Sequence, residues 1–393
     1  MIFDEVEKEI ENLKNKLDGL KEDIAKSHAE QFEWVKILYA NQENKNNQIE
    51  NRQMRIEKFF GISDETMPFE PIYNRAMDIS PAYPEIFNKH GEPMQVWFIH
   101  DGGFAHAPND RNSRYIIWDR YNYGLPIHVY TNNQIFQVVG KPKKKFAAIF
   151  EPRSILPQVY QKYIDNKDYI EKNFDAFFTH DAEMLATFKN AKLYLPGTVW
   201  YGKNVEGIMF DGQREGFSND GGAKDTIISE DNYKRKNKNI SMISSAKGMC
   251  PLHVLRRNLA LHFKNNPEYG VDTFGTFDGS PYCVRELPFE FYRFSVVVEN
   301  YISPYYFTEK ILDCFAAETI PIYLGATQID KFFNPAGIIK ISVEDCNNIE
   351  EILKQCTPEE YERRLPAVID NFRRVQQYIN LTPFDRIYLQ YLK

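Results

Sequence analysis

The feature that most constrains the fold is an alternation of short apolar runs with longer helix-like stretches, which occurs twice along the chain. The first series has apolar runs at 94–100, 115–119, 127–130, 146–150 and 174–179 and a helix-like stretch at 159–172. The second series has runs at 239–244, 271–274, 294–299, 320–324 and 338–341, with helix-like stretches at 252–264 and 308–318. Strands that alternate with helices favour parallel sheets covered by helices. We therefore expect an α/β protein with two Rossmann-like domains.

The length of 393 residues suits two domains and an appendage. Gly, Pro and Asp residues between Gly61 and Pro71 separate the appendage from the first domain. The predicted segments are a helical coiled coil at 1–60, a first Rossmann-like domain at 61–236 with a long loop at 203–236, a second Rossmann-like domain at 237–365, and C-terminal helices at 366–393.

The first 60 residues contain a heptad pattern that weakens beyond Ser27. Apolar residues follow one another at steps of four and three, at Val6, Ile10, Leu13, Leu17, Leu20 and Ile24. Such spacing is typical of a coiled coil. We therefore expect a homo-oligomer that assembles through residues 1–60. A solitary amphipathic helix that docks on the rest of the chain is the alternative.

The charge balance argues against nucleic acid as a partner. The formal net charge is −7, whereas binding to a phosphate backbone needs a broad basic surface. The one dense basic run holds four lysines at 141–145. We interpret it as a solvated approach to a strand, with peripheral contact to anionic lipid as the alternative.

The five cysteines form no Cys-x-x-Cys pair and no metal-ligand spacing. No apolar run approaches the roughly 18 residues of a membrane helix, and the first residues lack the order of a signal peptide. These patterns predict a cytoplasmic protein with reduced thiols and no bound metal.

The stretch from Tyr292 to Gly325 contains the clearest chemical signal. Its apolar run ends on Glu299 and Asn300, and side chains at this end of a parallel strand face the ligand crevice. Thr308 is suited to cap the next helix, whose amino terminus favours a diphosphate. Lys310 in the first turn opposes the helix dipole by about 0.3 to 1 kcal/mol. A lysine retained at that cost suggests an anionic ligand.

The letters EN, YFTEKI, IPIYLG and FNP in this region closely resemble glycosyltransferase family 10, the α-1,3/4-fucosyltransferases. The resemblance implies a GT-B fold, with two Rossmann-like domains that face a cleft, and GDP-fucose as the donor. By position, it assigns donor binding to Asn300, Tyr306, Glu309 and Lys310. Tyr301 and Leu324 depart from the commonest residues of the family at their positions.

Two further motifs extend the resemblance, which covers roughly residues 146–342. ISMISSAKGMCPLHVLRRN resembles the donor-domain element with a phosphate-binding arginine, which indicates Arg256, with its neighbour Arg257 as the alternative. FEPRSILPQVY resembles the first-domain motif whose glutamate is the general base, which indicates Glu151. The first domain would then bind the acceptor and the second the nucleotide sugar.

The resemblance implies an inverting transfer of L-fucose from GDP-fucose to a hydroxyl of a carbohydrate acceptor, with Glu151 as the base. No Asp-x-Asp sequence occurs, so we expect no metal or other cofactor at the diphosphate. Two alternatives remain, namely another nucleotide-sugar donor in the same fold and a non-catalytic coiled-coil assembly protein. The acceptor and the linkage position cannot be predicted from the sequence.

Overall fold

The computed structural model of the protein describes residues 91, 93–101, 113–201, 228–281, 283 and 286–393. The predicted coiled coil at 1–60 and residues 203–227 of the predicted long loop lie outside this range. Within it, no helix combines the length and the apolar character needed to cross a bilayer.

The first sheet has six parallel strands in the order β2-β1-β3-β4-β5-β6. Its strands are β1 (Gln95–His100), β2 (Ile116–Asp119), β3 (Ile127–Thr131), β4 (Lys144–Ala148), β5 (Ala176–Thr179) and β6 (Ala191–Leu193). Its helices are α1 (Pro157–Asp165), α2 (Lys167–Asn173) and α3 (Ala182–Thr187). All four residues of β5 are buried, as expected for a strand covered on both faces.

The second sheet has five parallel strands in the order β11-β10-β9-β7-β8. Its strands are β7 (Lys238–Ile243), β8 (Val271–Phe274), β9 (Tyr292–Val298), β10 (Ile320–Leu324) and β11 (Ile339–Lys340). Its helices are α4 (Pro251–Asn265), α5 (Glu309–Ala316) and α6 (Ile349–Leu353). The apolar side chains of α5 pack in one core cluster with Val297 and Tyr323 of this sheet. This packing fixes the amino terminus of α5 beside the end of β9.

The last two helices are α7 (Pro358–Asn380) and α8 (Pro383–Ile387). The predicted boundary between 365 and 366 lies inside α7, which is one continuous helix. The α8 helix returns to the first sheet, where Phe384 packs edge-on against Trp118 with ring centroids 5.0 Å apart. The carboxylate of Asp385 also accepts hydrogen bonds from the main-chain N–H groups of Arg114 and Tyr115. The end of the chain is therefore part of the core of the first sheet.

The two parallel sheets confirm the predicted α/β class with two Rossmann-like units. Several details differ from the predicted elements, and the short helices α3 and α6 were not predicted. The helix expected at 159–172 is two helices separated at Asn166, and the short β6 strand was not predicted. The strand β6 has only three residues and none is fully buried, so it carries almost no apolar signal.

Candidate active site

Polar side chains that follow strands of both sheets meet at one crevice. Glu151 lies beyond the end of β4, His180 directly follows β5, and Asn300 follows β9. The two sheets are joined here, because Ser154 Oγ donates a hydrogen bond to the Asn300 carbonyl oxygen at 3.1 Å. The rings of His180 and Tyr306 also lie with their centroids 4.8 Å apart.

We call Glu151, Ser154 and His180 the first-sheet wall. The second-sheet wall consists of Arg256, Glu299, Asn300, Tyr306, Thr308, Glu309 and Lys310. All six residues predicted for catalysis or donor binding belong to these walls.

Arg256 lies in α4 and is 6% exposed. Its Nη1 donates to the Val298 carbonyl oxygen at 2.8 Å and to Asn300 Oδ1 at 3.1 Å. Burial lowers the pKa of the guanidinium, while the carboxylate of Glu299 acts in the opposite direction. Arg257 points elsewhere, since its Nε donates to the Phe277 carbonyl oxygen. Of the two arginines left open by the sequence, the structure therefore brings Arg256 to Asn300.

The amino terminus of α5 holds a dense set of polar contacts around the Thr308 hydroxyl. Thr308 Oγ1 accepts from the main-chain N–H of Lys310 at 3.4 Å and from Lys310 Nζ at 2.9 Å. The same hydroxyl donates to Glu299 Oε2 at 2.8 Å. Lys310 Nζ also donates to Glu309 Oε1 at 3.0 Å. The predicted lysine and glutamate are thus paired with each other at the start of the helix.

Tyr306 of the second-sheet wall is 3% exposed, and its ring contacts His180 of the first-sheet wall. Its main-chain N–H donates to Ser303 Oγ at 3.2 Å. Burial raises the pKa of its phenol well above the ordinary value, and the carboxylates of Glu151 and Glu299 raise it further. The side chain therefore stays a neutral hydroxyl over the physiological range.

Glu151 faces the charges of the second-sheet wall. Burial raises the pKa of its carboxyl, while Lys310 and then Lys247 lower it and Glu309 raises it again. Its main-chain carbonyl oxygen accepts from the hydroxyl of Tyr160 at 3.0 Å, which fixes the backbone after β4. A partly buried carboxylate with a raised pKa is a better proton acceptor than an exposed one.

Two buried histidines of the crevice were missed by sequence reasoning as site residues. His253 is 2% exposed and forms a side-chain hydrogen bond with Asn300, and burial lowers its pKa to about 4. His180 is fully buried, donates from Nε2 to the Phe150 carbonyl oxygen at 3.2 Å, and has a pKa lowered by burial to about 4. His253 lies three residues before Arg256, a spacing that places both on one helix face. That spacing was the available signal for His253.

The crevice also contains the buried carboxylate of Glu299, which the sequence placed at the end of its strand but did not assign to donor binding. Neutral histidines, paired cations and a helix amino terminus together form a site suited to a phosphorylated ligand. Among the residues that the structure describes, no group of three His, Cys, Asp or Glu side chains could hold a metal ion. A crevice at the carboxyl ends of parallel strands is where α/β proteins bind nucleotides.

Residues 233–361 match the family described as "Glycosyltransferase family 10 (fucosyltransferase) C-term". The matched segment contains Arg256 and the stretch from Asn300 to Lys310, so the resemblance predicted from these motifs is confirmed. The match spans the five strands of the second sheet, and the strands of the first sheet lie outside it.

A curated relative, the alpha-(1,3)-fucosyltransferase FucT of Helicobacter pylori, is 39% identical over 62 residues. The aligned segment spans 16% of this chain and 13% of that relative. An alpha1,3-fucosyltransferase solved with GDP-fucose is 16% identical with a TM-score of 0.40, covering 78% of this chain and 94% of the other. The Anabaena protein HepE, solved with UDP-glucose, is 9% identical with a TM-score of 0.44, covering 73% of this chain and 96% of the other.

Proposed function

We propose that this protein is an inverting fucosyltransferase that moves L-fucose from GDP-fucose to a hydroxyl of a carbohydrate acceptor. The observation that carries the proposal is that Glu151 of one wall lies within the influence of the Lys310 charge on the other, where Ser154 also contacts Asn300. The second-sheet wall lies in the segment that matches family 10. A displacement with an anionic leaving group requires a proton acceptor on one side and positive charge on the other, and the two walls offer these groups.

In this reaction the carboxylate of Glu151 takes the proton of the acceptor hydroxyl. The hydroxyl oxygen forms a bond to the anomeric carbon of β-linked GDP-fucose, and the bond from that carbon to the phosphate oxygen breaks. GDP leaves with the electron pair, and the fucose becomes α-linked. A base on one side and cations on the other suit a single displacement with inversion.

The donor is held by the second-sheet wall. We assign the diphosphate to Arg256, Lys310 and the positive end of the α5 dipole, because these are the cations and the dipole of the crevice. Asn300, Tyr306 and Glu309 would bind the hydroxyl groups of the sugar and the ribose. With these groups available, we propose that the reaction needs no metal or other cofactor. Turnover that persists in EDTA would support this, and loss of turnover that Mg²⁺ or Mn²⁺ restores would contradict it.

Calorimetric titration with GDP tests the proposal first. We expect binding of GDP, weaker binding after Lys310→Ala, and no binding of UDP. Lys354→Ala is the matched control, because this lysine is exposed and pairs only locally with Glu351. Binding of UDP in place of GDP would favour another nucleotide-sugar donor. The absence of binding to both would favour a non-catalytic assembly protein.

We also propose that the protein is cytoplasmic and forms homo-oligomers through the heptad repeat at 1–60. Several active sites on one assembly would raise the effective concentration at a multivalent glycan. Light scattering should show a lower mass after deletion of these residues, and an unchanged mass would contradict the role. The lysines at 141, 143 and 144 are exposed, and peripheral contact with anionic lipid is the alternative to simple solvation of this run. Flotation with anionic vesicles tests it.

A further inference from the structure

Lys310 is a cation in the first turn of α5, where the helix dipole disfavours positive charge. The structure contains a group that offsets this cost. The carboxylate of Glu299 is fully buried, and its Oε2 lies 3.6 Å from Lys310 Nζ. The same carboxylate accepts from the main-chain N–H of Thr308 at 2.9 Å through Oε1. A negative charge at the start of a helix is favourable, so Glu299 stabilises both the helix and the lysine.

Every hydrogen-bonding position of the Thr308 hydroxyl is used in this arrangement. It donates its one proton to Glu299 and accepts from both nitrogens of Lys310. A hydroxyl has one donor and two acceptor positions. Donation to the carboxylate directs the hydroxyl proton toward Glu299, which leaves both acceptor positions directed at the lysine nitrogens. Glu299, Thr308 and Lys310 form a chain in which each member orients the next.

The surrounding backbone leaves space for this carboxylate. The main-chain N–H of Glu299 donates to the Leu324 carbonyl oxygen at 2.9 Å, beside the end of β10. Gly325 follows at once, and a Cβ there would lie 2.6 Å from Cγ of Glu299. That distance is far inside van der Waals contact, so a side chain at 325 would displace Glu299. Burial raises the pKa of Glu299, and Lys310 is the largest opposing influence.

We propose that Glu299 is a positioning residue of the donor site, which holds Lys310 through Thr308 in the orientation that binds the diphosphate. The inference rests on the proposed function, since it assumes that the crevice binds a nucleoside diphosphate. Glu299 itself does not contact the ligand in this proposal. It acts by fixing a lysine that would otherwise have several free rotamers.

The decisive experiment is a double-mutant cycle on GDP affinity with Glu299→Gln and Lys310→Met. Glutamine keeps the shape of Glu299 but carries no charge, and its amide donates where the Thr308 hydroxyl also donates. We expect Glu299→Gln to weaken GDP binding about tenfold when Lys310 is present and less than about twofold when it is replaced, since neighbouring residues couple. Equal weakening in both backgrounds, unchanged binding, or tighter binding would overturn the proposal.

A matched control separates positioning from simple stabilisation. Asp385 is also fully buried, and it accepts from the N–H and the hydroxyl of Thr382 at 2.9 and 2.8 Å. It therefore caps α8 as Glu299 caps α5, but away from the crevice. Asp385→Asn should lower the melting temperature and leave the GDP affinity of the folded protein unchanged. Weakening of GDP binding equal to that of Glu299→Gln would mean that loss of any buried cap has this effect, and would overturn the proposal.

A second pair of variants keeps the test decisive if Glu299→Gln does not fold. Thr308→Ser retains the hydroxyl, and Thr308→Val removes it while keeping the branched shape. We expect the valine variant to bind GDP about tenfold more weakly than the serine variant, in line with the loss of hydrogen bonds to a charged group. Equal affinities would overturn the proposal. If the wild-type protein itself does not bind GDP, the proposed function and this inference fail together; if it binds and the cycle is additive, only this inference fails.

Discussion

The two walls of the crevice differ in how their charged groups are held. On the second-sheet wall the cationic side chains are held by hydrogen bonds. Arg256 donates to Asn300, and Lys310 donates to Thr308 and Glu309. On the first-sheet wall, Glu151 is positioned through its backbone, and its carboxyl is affected by charges of the opposite wall. A binding surface benefits from fixed groups, whereas a proton acceptor needs a carboxylate that can change its protonation state. Under the proposed function, the difference separates a wall that binds the donor from a wall that reacts with the acceptor.

The largest expected effect is on turnover and comes from the first-sheet wall. Glu151→Gln should lower the rate of fucose transfer roughly 10²- to 10⁴-fold, the usual contribution of a general base. GDP affinity should stay within about twofold, because the binding wall is intact. Transfer to a panel of glycan acceptors and calorimetry with GDP measure the two quantities.

Glu183→Gln is the control for this variant, because Glu183 pairs with Arg153 in the same domain and its side chain is 61% exposed. A Glu151→Gln enzyme with wild-type turnover would remove the base from the mechanism. A variant that loses GDP affinity as well would show that the two walls do not divide binding from reaction.

The second prediction concerns the binding wall and separates the two neighbouring arginines. Arg256→Lys keeps the positive charge but loses the Nη1 group that donates to Val298 and Asn300. Charge-assisted hydrogen bonds contribute about 1.5 to 3 kcal/mol each, so GDP binding should weaken about 10- to 100-fold. Arg257→Lys should change the affinity less than about twofold. The opposite result in the titration would assign the diphosphate to Arg257.

The third prediction concerns the two buried histidines of the crevice, His180 of the first-sheet wall and His253 of α4. The folded-state pKa of His180 and of His253 is about 4, below the unfolded value of about 6.5. The unfolded chain therefore binds protons first as the pH falls. The contribution of the neutral histidines to the free energy of unfolding is fully present above pH 6.5 and is lost between pH 6.5 and 4. Urea unfolding across that range should show the decline. His180→Gln should reduce the decline in the free energy of unfolding by at most about 3 kcal/mol. An unaltered pH dependence would contradict a lowered pKa for His180.

The smallest expected effect is on the contact between the walls. Ser154→Ala removes the hydrogen bond from Ser154 Oγ to the Asn300 carbonyl oxygen, which at about 0.5 to 1.5 kcal/mol should lower the melting temperature by a few degrees at most. Ser154→Thr keeps the hydroxyl and should retain the melting temperature. Equal melting temperatures for both variants would mean that this bond does not help to hold the walls together.

The sequence was most informative about the second-sheet wall. Asn300 and Lys310 lie in one continuous stretch whose apolar strand, capping threonine and helix follow local rules, so their proximity could be predicted. Of the first-sheet wall, only Glu151 was predicted, from an apolar run that is followed by Glu151 and Pro152. His180 was missed because its partners, Phe150 and Tyr306, come from two distant segments.

Element order, strand polarity and the two-sheet class follow from the alternation of apolar runs and helical stretches, because periodicity and burial are properties of short segments. The same holds for the cap at Thr308. The tertiary structure decided which arginine of the pair at 256 and 257 reaches Asn300, since one turn of a helix places two neighbours on different faces. It also decided that α8 packs on the first sheet, and that Glu299 offsets the charge of Lys310. These contacts depend on long-range packing that brings separate segments together, and no local pattern encodes the distance between their atoms.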